Sequence, residues 1–113
     1  MPSIQPLTQF DFYAVIENTP GLSLVYFTAP SCSSCRHLSQ LLTEMITPAD
    51  LTIFNVDAVH EQALLAEYEV FHLPALFLFK QGQYHAEIHA EARSASILNA
   101  ITVASQQAAE EAP

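Results

Sequence analysis

The apolar residues of this chain follow two spacings, one typical of buried strands and one typical of amphipathic helices. The run Leu22–Thr28 is rich in β-branched and aromatic residues, which predicts a strand buried on both faces. From residue 32 to about residue 46, apolar residues recur at the spacing of one helix face, namely Leu38, Leu41, Leu42 and Met45. A buried strand is therefore expected to lead directly into an amphipathic helix.

The second half of the chain repeats this alternation. Residues 51–56 predict another strand, and Asp57 is expected to cap a helix that runs to about Val70. The continuously apolar residues 75–79 predict a central strand, and the tight turn after it predicts a hairpin with a strand over 83–89. The predicted order is thus strand, helix, strand, helix and then a hairpin.

Shorter signals mark the two ends of the predicted domain. Thr8 followed by Asp11 predicts the start of a short helix ahead of the first strand. Ser94 is expected to cap a last helix. After it, residues 105–113 are small, polar and acidic, which predicts a flexible acidic tail behind a single domain over 1–104.

This order of elements predicts an α/β fold. Strand-helix-strand units place helices over a sheet and the hairpin adds antiparallel strands, so the sheet should be mixed, with helices on both faces. Functional groups in such folds tend to lie at the carboxyl ends of the strands. Cys32, which follows the strand Leu22–Thr28, is expected at such an end.

Length and composition favour one compact domain. The chain has 113 residues, and 50% of them are hydrophobic by type, which is enough for one core. The first residues lack a basic start, and no apolar run approaches the roughly 20 residues of a membrane span. We therefore expect a soluble, unexported, cytoplasmic protein without a membrane partner.

The charge balance narrows the range of partners. Three basic residues stand against twelve acidic ones, which gives a formal net charge of -9 at pH 7. Such a surface repels phosphate backbones and anionic lipids, so nucleic acid is not an expected partner. The same charge favours basic or neutral protein surfaces.

The two cysteines of the chain, Cys32 and Cys35, are three residues apart at the start of the predicted helix. Residues at this spacing lie on one helix face, close enough for their sulfurs to form a disulfide. Cys32 lies in the first turn, where free backbone N–H groups and the helix dipole stabilise a thiolate, whereas Cys35 gains less. The pair is therefore predicted to be catalytic, with Cys32 as the nucleophile and Cys35 as the resolving thiol.

Metal binding is a weaker interpretation of the same residues. One C-x-x-C pair supplies two of the four ligands of a structural zinc site, so no metal site is predicted. An iron–sulfur cluster bridged between two chains stays open as an alternative. His85, Glu87 and His89 alternate along a predicted strand, but the preferred interpretation is the polar face of an edge strand.

From about residue 4 to residue 102 the chain resembles the thioredoxin family. The segments that carry the resemblance are Val25-Tyr26-Phe27-Thr28-Ala29, Cys32-Ser33-Ser34-Cys35, Phe54-Asn55-Val56-Asp57 and 73–82, which begins Leu73-Pro74-Ala75. The resemblance implies a thioredoxin-like fold with a central five-stranded sheet. It also implies a thiol–disulfide oxidoreductase whose redox group is the Cys32–Cys35 disulfide, without a further cofactor.

The resemblance also implies roles around the sulfurs. Pro74 matches the family's cis-proline, and the backbone of Leu73 matches the segment that pairs with an extended client. The expected partners are proteins with disulfides and a recycling partner similar to thioredoxin reductase. The protein itself is expected to be a monomer.

The chain departs from the family's pattern at the site. Ser31 replaces the tryptophan before the first cysteine, and Ser33-Ser34 replaces Gly-Pro between the cysteines. Tyr26 replaces the buried carboxylate that assists the resolving cysteine, and the lysine neighbour of that carboxylate falls at about Ile53. A tyrosine is a poor proton acceptor at neutral pH, so we expect a slow resolving step.

Three side chains are candidates to modulate Cys32. The hydroxyls of Ser33 and Ser34 could donate hydrogen bonds to its thiolate, although small polar residues that are merely tolerated fit equally well. The resemblance places His72 near the sulfurs, where an imidazolium would favour the thiolate, against the alternative of a plain surface histidine. The departures from the family's pattern leave a second function open, a redox sensor or partner-binding module with little turnover.

Overall fold

In a computed structural model that describes residues 4–113, a five-stranded mixed sheet forms the centre of the protein. Its strands are β1 (Gln5–Pro6), β2 (Leu22–Thr28), β3 (Leu51–Asp57), β4 (Ala75–Lys80) and β5 (Gln83–Ile88). They lie in the order β1-β3-β2-β4-β5, with the first three parallel to one another and β4 antiparallel to both β2 and β5. The predicted mixed α/β sheet is confirmed, and the first three residues of the predicted domain lie outside the described residues.

Helices cover both faces of the sheet, as predicted. They are α1 (Phe12–Glu17), α2 (Ser33–Glu44), α3 (Gln62–Glu67) and α4 (Ser94–Ser105). The buried cluster on one face includes Phe12, Ile16 and Leu64 of α1 and α3. The cluster on the other face includes Leu38, Leu42, Ile97 and Ile101 of α2 and α4. None of the helices within residues 4–113 is both long and apolar enough to cross a membrane.

β2 lies at the centre of the sheet because both of its faces are apolar. Val25 and Phe27 belong to the cluster under α1 and α3, and Leu24 and Tyr26 belong to the cluster under α2 and α4. This explains why the run is continuously apolar rather than alternating. Since β1, β2 and β3 are parallel, their carboxyl ends meet at one edge of the sheet, and Cys32 lies at that edge.

The start of α1 matches the predicted signal. The carboxylate of Asp11 accepts a hydrogen bond from the backbone N–H of Thr8 at 2.7 Å, and the N–H of Phe12 donates to the carbonyl of Thr8 at 3.0 Å. Thr8 and Asp11 thus close the turn on each other. α1 begins directly after this turn.

The predicted cap of α3 is wrong. The carboxylate of Asp57 accepts a hydrogen bond from the N–H of Val59 at 2.9 Å and contacts the ring of His60 at 2.8 Å. Because this carboxylate organises the turn before the helix, it is not available to the helix itself. α3 spans only Gln62–Glu67, and Glu61 occupies the cap position.

The ends of two other helices also differ from the prediction. α2 ends at Glu44, because the backbone of Met45 is extended, and the helix stops short of the predicted end near Ile46. Ser94 begins α4 but does not cap it. The residue at the cap is Arg93, which offers no side-chain hydrogen bond to the helix.

A bulge at His85 separates the polar residues of β5. The residue is only 6% exposed, and its Nε2–H donates to the carbonyl of Ala104 in α4 at 2.7 Å. Glu87 lies opposite Phe77, which belongs to the cluster under the other face. The expected polar face shared by His85, Glu87 and His89 is therefore wrong, because the bulge turns His85 towards α4.

The segment after α4 lies along β5. The N–H of Glu110 donates to the carbonyl of His85 at 2.7 Å, and its carboxylate accepts a hydrogen bond from the N–H of Glu87 at 3.2 Å. These contacts occupy backbone groups of an edge strand. The flexibility of residues 105–113 and the domain boundary before them stay predictions.

Candidate active site

Cys32 and Cys35 form a disulfide at the start of α2. Cys32 occupies the N-cap position with an extended backbone, and Cys35 lies in the first turn of the helix. Their Cα atoms are 5.2 Å apart, within the range that a disulfide spans without rearrangement of the backbone. The predicted pairing of the two sulfurs is present, but Cys32 lies at the cap of α2 and not in its first turn, where it was expected.

The two cysteines differ in exposure. Cys35 is fully buried at 0% exposure, whereas Cys32 is partly exposed. A sulfur of another protein can therefore reach Cys32 from solvent, whereas Cys35 has no exposure to solvent. Only the sulfur of Cys32 is accessible to a client, and that of Cys35 is buried.

Backbone donors at the start of α2 favour a negative charge on Cys32. The N–H of Cys35 donates to Sγ of Cys32 at 3.1 Å, as the donors of a helix end do to a capping side chain. The first turn of α2 contains no acidic side chain that would oppose the helix dipole. Once the disulfide is reduced, these groups stabilise a thiolate at Cys32.

Among the predicted modulators, Ser34 contacts the sulfur. Its Oγ is 3.7 Å from Sγ of Cys32, within the distance of a hydrogen bond to sulfur. Ser33 is exposed in the first turn of α2, and His72 is exposed on the loop before β4. Ser34 is therefore in place to donate a hydrogen bond to the Cys32 thiolate.

Leu73 and Pro74 lie beside Cys32. The peptide bond between them is cis, and both residues are half-buried. The carbonyl oxygen of Leu73 lies 4.0 Å from Sγ of Cys32. An extended segment that paired with the backbone of Leu73 would run past the exposed sulfur.

Tyr26 is buried in the cluster under α2, with 2% of its surface exposed. Its hydroxyl lies 3.1 Å from Oγ of Ser39 in α2. Burial raises the pKa of Tyr26, and the hydrogen bond with Ser39 lowers it by less. The phenol therefore stays protonated at neutral pH and supplies a hydrogen bond rather than a base.

The predicted site misses two polar neighbours of Tyr26. Ser39 lies four residues after Cys35, and this helical spacing is a signal that the sequence contains. Asn55 lies opposite Tyr26 in the register of β2 and β3. Ile53, which falls at the place of the family's lysine, pairs with Leu24 and belongs to the same buried cluster as Tyr26.

Two cavities share Pro74 in their lining. One of about 390 Å³ is lined in part by His37 and His89, and one of about 340 Å³ is lined in part by His72 and His89. The predicted site includes His72 but misses the other two histidines. Of these two, only His37 has a sequence feature that points to the site, its position two residues after Cys35.

The disulfide uses the sulfurs that a metal ion would need. Cys32 and Cys35 are bonded to each other, and the ring of His85 is occupied by the carbonyl of Ala104. Within residues 4–113, no group of three or more His, Cys, Asp or Glu side chains is placed to hold a metal ion.

Comparison with known proteins identifies the family of this chain. The chain matches the family model for thioredoxin over residues 3–103. Thioredoxin from Staphylococcus aureus is 31% identical over 83 residues, which cover 72% of this chain and 78% of that protein. Protein disulfide-isomerase MPD1 from Saccharomyces cerevisiae is 35% identical over 83 residues, which cover 70% of this chain. The chain spans only 26% of the length of this yeast relative.

A solved structure agrees with the fold. Mitochondrial thioredoxin 3 from Saccharomyces cerevisiae, in its oxidized form, has a TM-score of 0.76 at 24% identity, covering 88% of this chain and 94% of that chain. The chain therefore belongs to the thioredoxin family.

Proposed function

We propose that the protein is a thiol–disulfide oxidoreductase that exchanges disulfides with protein clients. The observation that carries the proposal is Cys32 at the N-cap of α2, partly exposed and bonded to the buried Cys35. Membership of the thioredoxin family and the C-x-x-C disulfide support thiol–disulfide chemistry in general. The roles of individual residues are proposed from their geometry.

The exchange begins at Cys32. Its thiolate attacks one sulfur of the client disulfide, a disulfide forms between Cys32 and the client, and the other client sulfur leaves as a thiolate that takes up a proton. Cys35 then loses its proton and attacks Sγ of Cys32, which closes the internal disulfide and releases the second client thiol. The client disulfide gains two electrons, and the dithiol of the protein loses two.

Leu73 and Pro74 position the client during this exchange. An extended client segment pairs with the backbone of Leu73, whose carbonyl lies 4.0 Å from Sγ of Cys32. Pro74 has no N–H, so the ladder of hydrogen bonds ends there. Ser34 stabilises the Cys32 thiolate through its hydroxyl.

The resolving step is expected to be slow. A buried carboxylate near the resolving cysteine would accept its proton, but this chain has Tyr26 at that place, and burial raises the pKa of the phenol. Tyr26 can order Ser39 but cannot act as the base. The proton of Cys35 must then leave to solvent or to the departing client thiolate.

The partners follow from chemistry and charge. Each turnover leaves Cys32 and Cys35 joined in a disulfide. A dithiol donor similar to thioredoxin reductase is needed to reduce it again. The formal charge of -9 favours protein clients over nucleic acid and anionic membranes. We further propose a cytoplasmic monomer whose only redox group is the Cys32–Cys35 disulfide.

Insulin reduction tests the proposal. The wild-type protein should accelerate the reduction of insulin by dithiothreitol, followed as precipitation of the released chains. Cys32→Ser should abolish this acceleration, whereas Ser31→Ala, a change at the exposed neighbouring residue, should preserve it. A wild-type protein that adds nothing to the rate of dithiothreitol alone would overturn the proposal.

A redox sensor is the second candidate function. The observation that favours it is Tyr26, because a slow resolving step suits a protein that holds one partner rather than one that serves many. Reversible oxidation of Cys32 and Cys35 without insulin turnover would support the sensor.

A further inference from the structure

The smaller of the two cavities beside Pro74, of about 340 Å³, contains side chains that the exchange does not use. Its lining includes Phe71, a large apolar side chain that is 82% exposed. It also includes Glu69 and Glu87, which are both exposed. An aromatic ring that lines a cavity and is still exposed can pack against a bound segment of another protein.

This cavity lies next to the reactive sulfur. Pro74 lines it, and the carbonyl oxygen of the preceding residue, Leu73, is 4.0 Å from Sγ of Cys32. The rest of the lining comes from the loop 69–72, the start of β4 and the end of β5, so the cavity lies on the β4 side of β2. A client segment that pairs with the backbone of Leu73 therefore has residues near its cysteine within reach of the cavity.

The cavity favours positive charge. Glu69 and Glu87 supply two carboxylates, and the carboxylate of Glu110 accepts a hydrogen bond from the N–H of Glu87 at 3.2 Å. Two histidines, His72 and His89, also line it, and Nε2 of His89 lies 3.8 Å from the carboxylate of Glu87. Within residues 4–113, no lysine or arginine lines this cavity. A cationic side chain of a client would therefore meet complementary charge here.

The larger cavity beside Pro74, of about 390 Å³, lacks this charge. Its polar side chains are those of Ser34, His37 and His89, and no carboxylate belongs to its lining. A basic residue of a client thus finds carboxylates in the smaller cavity and none in the larger one.

The backbone at Glu69 does not explain why a glutamate stands there. Its φ is 52°, in the left-handed region where a glycine commonly follows the end of a helix, and Glu69 comes just after α3. A glycine would adopt this conformation at lower cost. Glu69→Gly therefore removes the carboxylate without straining the loop.

We propose that this cavity selects clients that carry an arginine or a lysine near the reactive cysteine. The aliphatic stem of that basic residue packs on the ring of Phe71, and its charged end lies among the carboxylates of Glu69 and Glu87. The same carboxylates speed the encounter with such a client. Because the inference names the clients of the exchange, it rests on the proposed function.

Three peptide disulfides of equal length test this specificity. The two residues on each side of the reactive cysteine are arginine, glutamate or serine, and the measured quantity is the second-order rate constant of reduction by the reduced protein. Each rate constant is divided by that of the same peptide with dithiothreitol, because nearby charges change the reactivity of a disulfide itself. At low salt the arginine peptide should then exceed the serine peptide about tenfold, and added salt should reduce this ratio. The glutamate peptide should gain no advantage.

Variants locate the effect in the cavity. Glu69→Gln combined with Glu87→Gln should remove most of the advantage of the arginine peptide. The matched control is Glu17→Gln combined with Glu44→Gln, which changes the net charge by the same amount. Glu44 lies at the far end of α2, and Glu17 lines a cavity with Gly82, beyond the far end of β4. The control should keep most of the advantage.

Single variants separate the ring from the charge. Phe71→Ser should lower the ratio of the arginine peptide to the serine peptide severalfold, whereas Phe71→Tyr, which keeps the ring, should preserve it. Glu69→Gly should lower the ratio through the lost carboxylate. Because each result is a ratio of two peptides in one protein, a change in the reactivity of Cys32 itself cancels.

Failure of this specificity and failure of the proposed function give different results. An unchanged ratio in the cavity double variant, or an equal loss in the remote double variant, would overturn the specificity while exchange itself continues. If no peptide is reduced, the proposed function fails, and binding is measured by NMR with an arginine peptide that has serine in place of cysteine. Shifts at the amides of Phe71 and Glu87, without shifts at Glu44, would support the cavity as a site for basic residues, and their absence would overturn it.

Discussion

The backbone N–H of Cys35 donates to Sγ of Cys32 at 3.1 Å, so one cysteine supplies a hydrogen bond to the sulfur of the other. In the reduced protein this donor would face a thiolate, and a hydrogen bond to a charged acceptor is the stronger kind. Cys35 is itself fully buried, and burial opposes ionisation of its thiol. The geometry therefore gives the two thiols different acidities.

Cys32 should ionise at a lower pH than a free cysteine. In the reduced Cys35→Ser variant, the ultraviolet absorbance of the thiolate should titrate with a pKa below that of an unstructured thiol, which is about 8.5. Ser34→Ala in the same background should raise this pKa, because it removes the hydroxyl 3.7 Å from the sulfur. A midpoint at the value of a free cysteine would contradict the role of the helix end.

Cys35→Ser should trap the covalent intermediate. Cys32 still attacks the client disulfide in this variant, but the sulfur that would release the client is missing. Mass spectrometry should then detect an adduct of one protein and one client that persists in this variant and decays in the wild type. Cys32→Ser serves as the control and should form no adduct. An adduct that formed equally well without Cys32 would reverse the assignment of the two roles.

Tyr26→Asp should speed the decay of the mixed disulfide. It places a carboxylate where the chain now has a neutral phenol, and general bases contribute on the order of 100-fold or more. The buried site makes this change costly, by about 2 to 4 kcal/mol of unfolding free energy, so folding is checked first by circular dichroism. Tyr26→Phe is the matched variant, since it removes the hydroxyl without adding a base and should not accelerate decay. Equal decay in all three proteins would exclude Tyr26 as the cause of a slow step.

The position of Cys32 between the central strand and the next helix could be predicted because local sequence patterns determine it. A run such as Leu22–Thr28 is apolar on both faces only when it lies between two packed layers. A C-x-x-C pair directly after such a strand lies at the start of the next helix, and parallel strands end at one edge. These facts place Cys32 without any knowledge of contacts between distant residues.

The predictions that were wrong fail for two reasons. Either a side chain is bound in a neighbouring turn, or contacts between distant elements decide the structure. Asp57 has the right residue type for a helix cap, but its carboxylate is bound in the turn before the helix. Strict alternation along β5 assumes that no residue is inserted, and His85 is the inserted one. The sequence places Ser39 one helical turn after Cys35, but its contact with Tyr26 arises from the packing of α2 over β2.

The unfolding free energy should fall above pH 10. Burial raises the pKa of Tyr84 to about 12 and raises that of Tyr68 further. Both phenols stay protonated in the folded protein while the unfolded chain ionises near pH 10, so the unfolded state binds fewer protons there. Urea unfolding should show no such effect below pH 10 and a loss of up to about 1.4 kcal/mol per pH unit for Tyr68, and less for the more exposed Tyr84. Tyr68→Phe should flatten this slope, and an unchanged slope would contradict the assignment.

Proline at position 110 should release the tail from β5. Glu110→Pro removes the N–H that donates to the carbonyl of His85 at 2.7 Å, so the unfolding free energy should fall by about 1 kcal/mol. Hydrogen exchange at the amide of Glu87, which donates to the Glu110 carboxylate at 3.2 Å, should become faster. Glu111→Pro makes the same change in chain stiffness one residue further on, and it should alter neither quantity. If the two prolines behave alike, the hydrogen bonds to β5 contribute nothing to stability, and the flexible tail predicted from its small acidic residues is the better description.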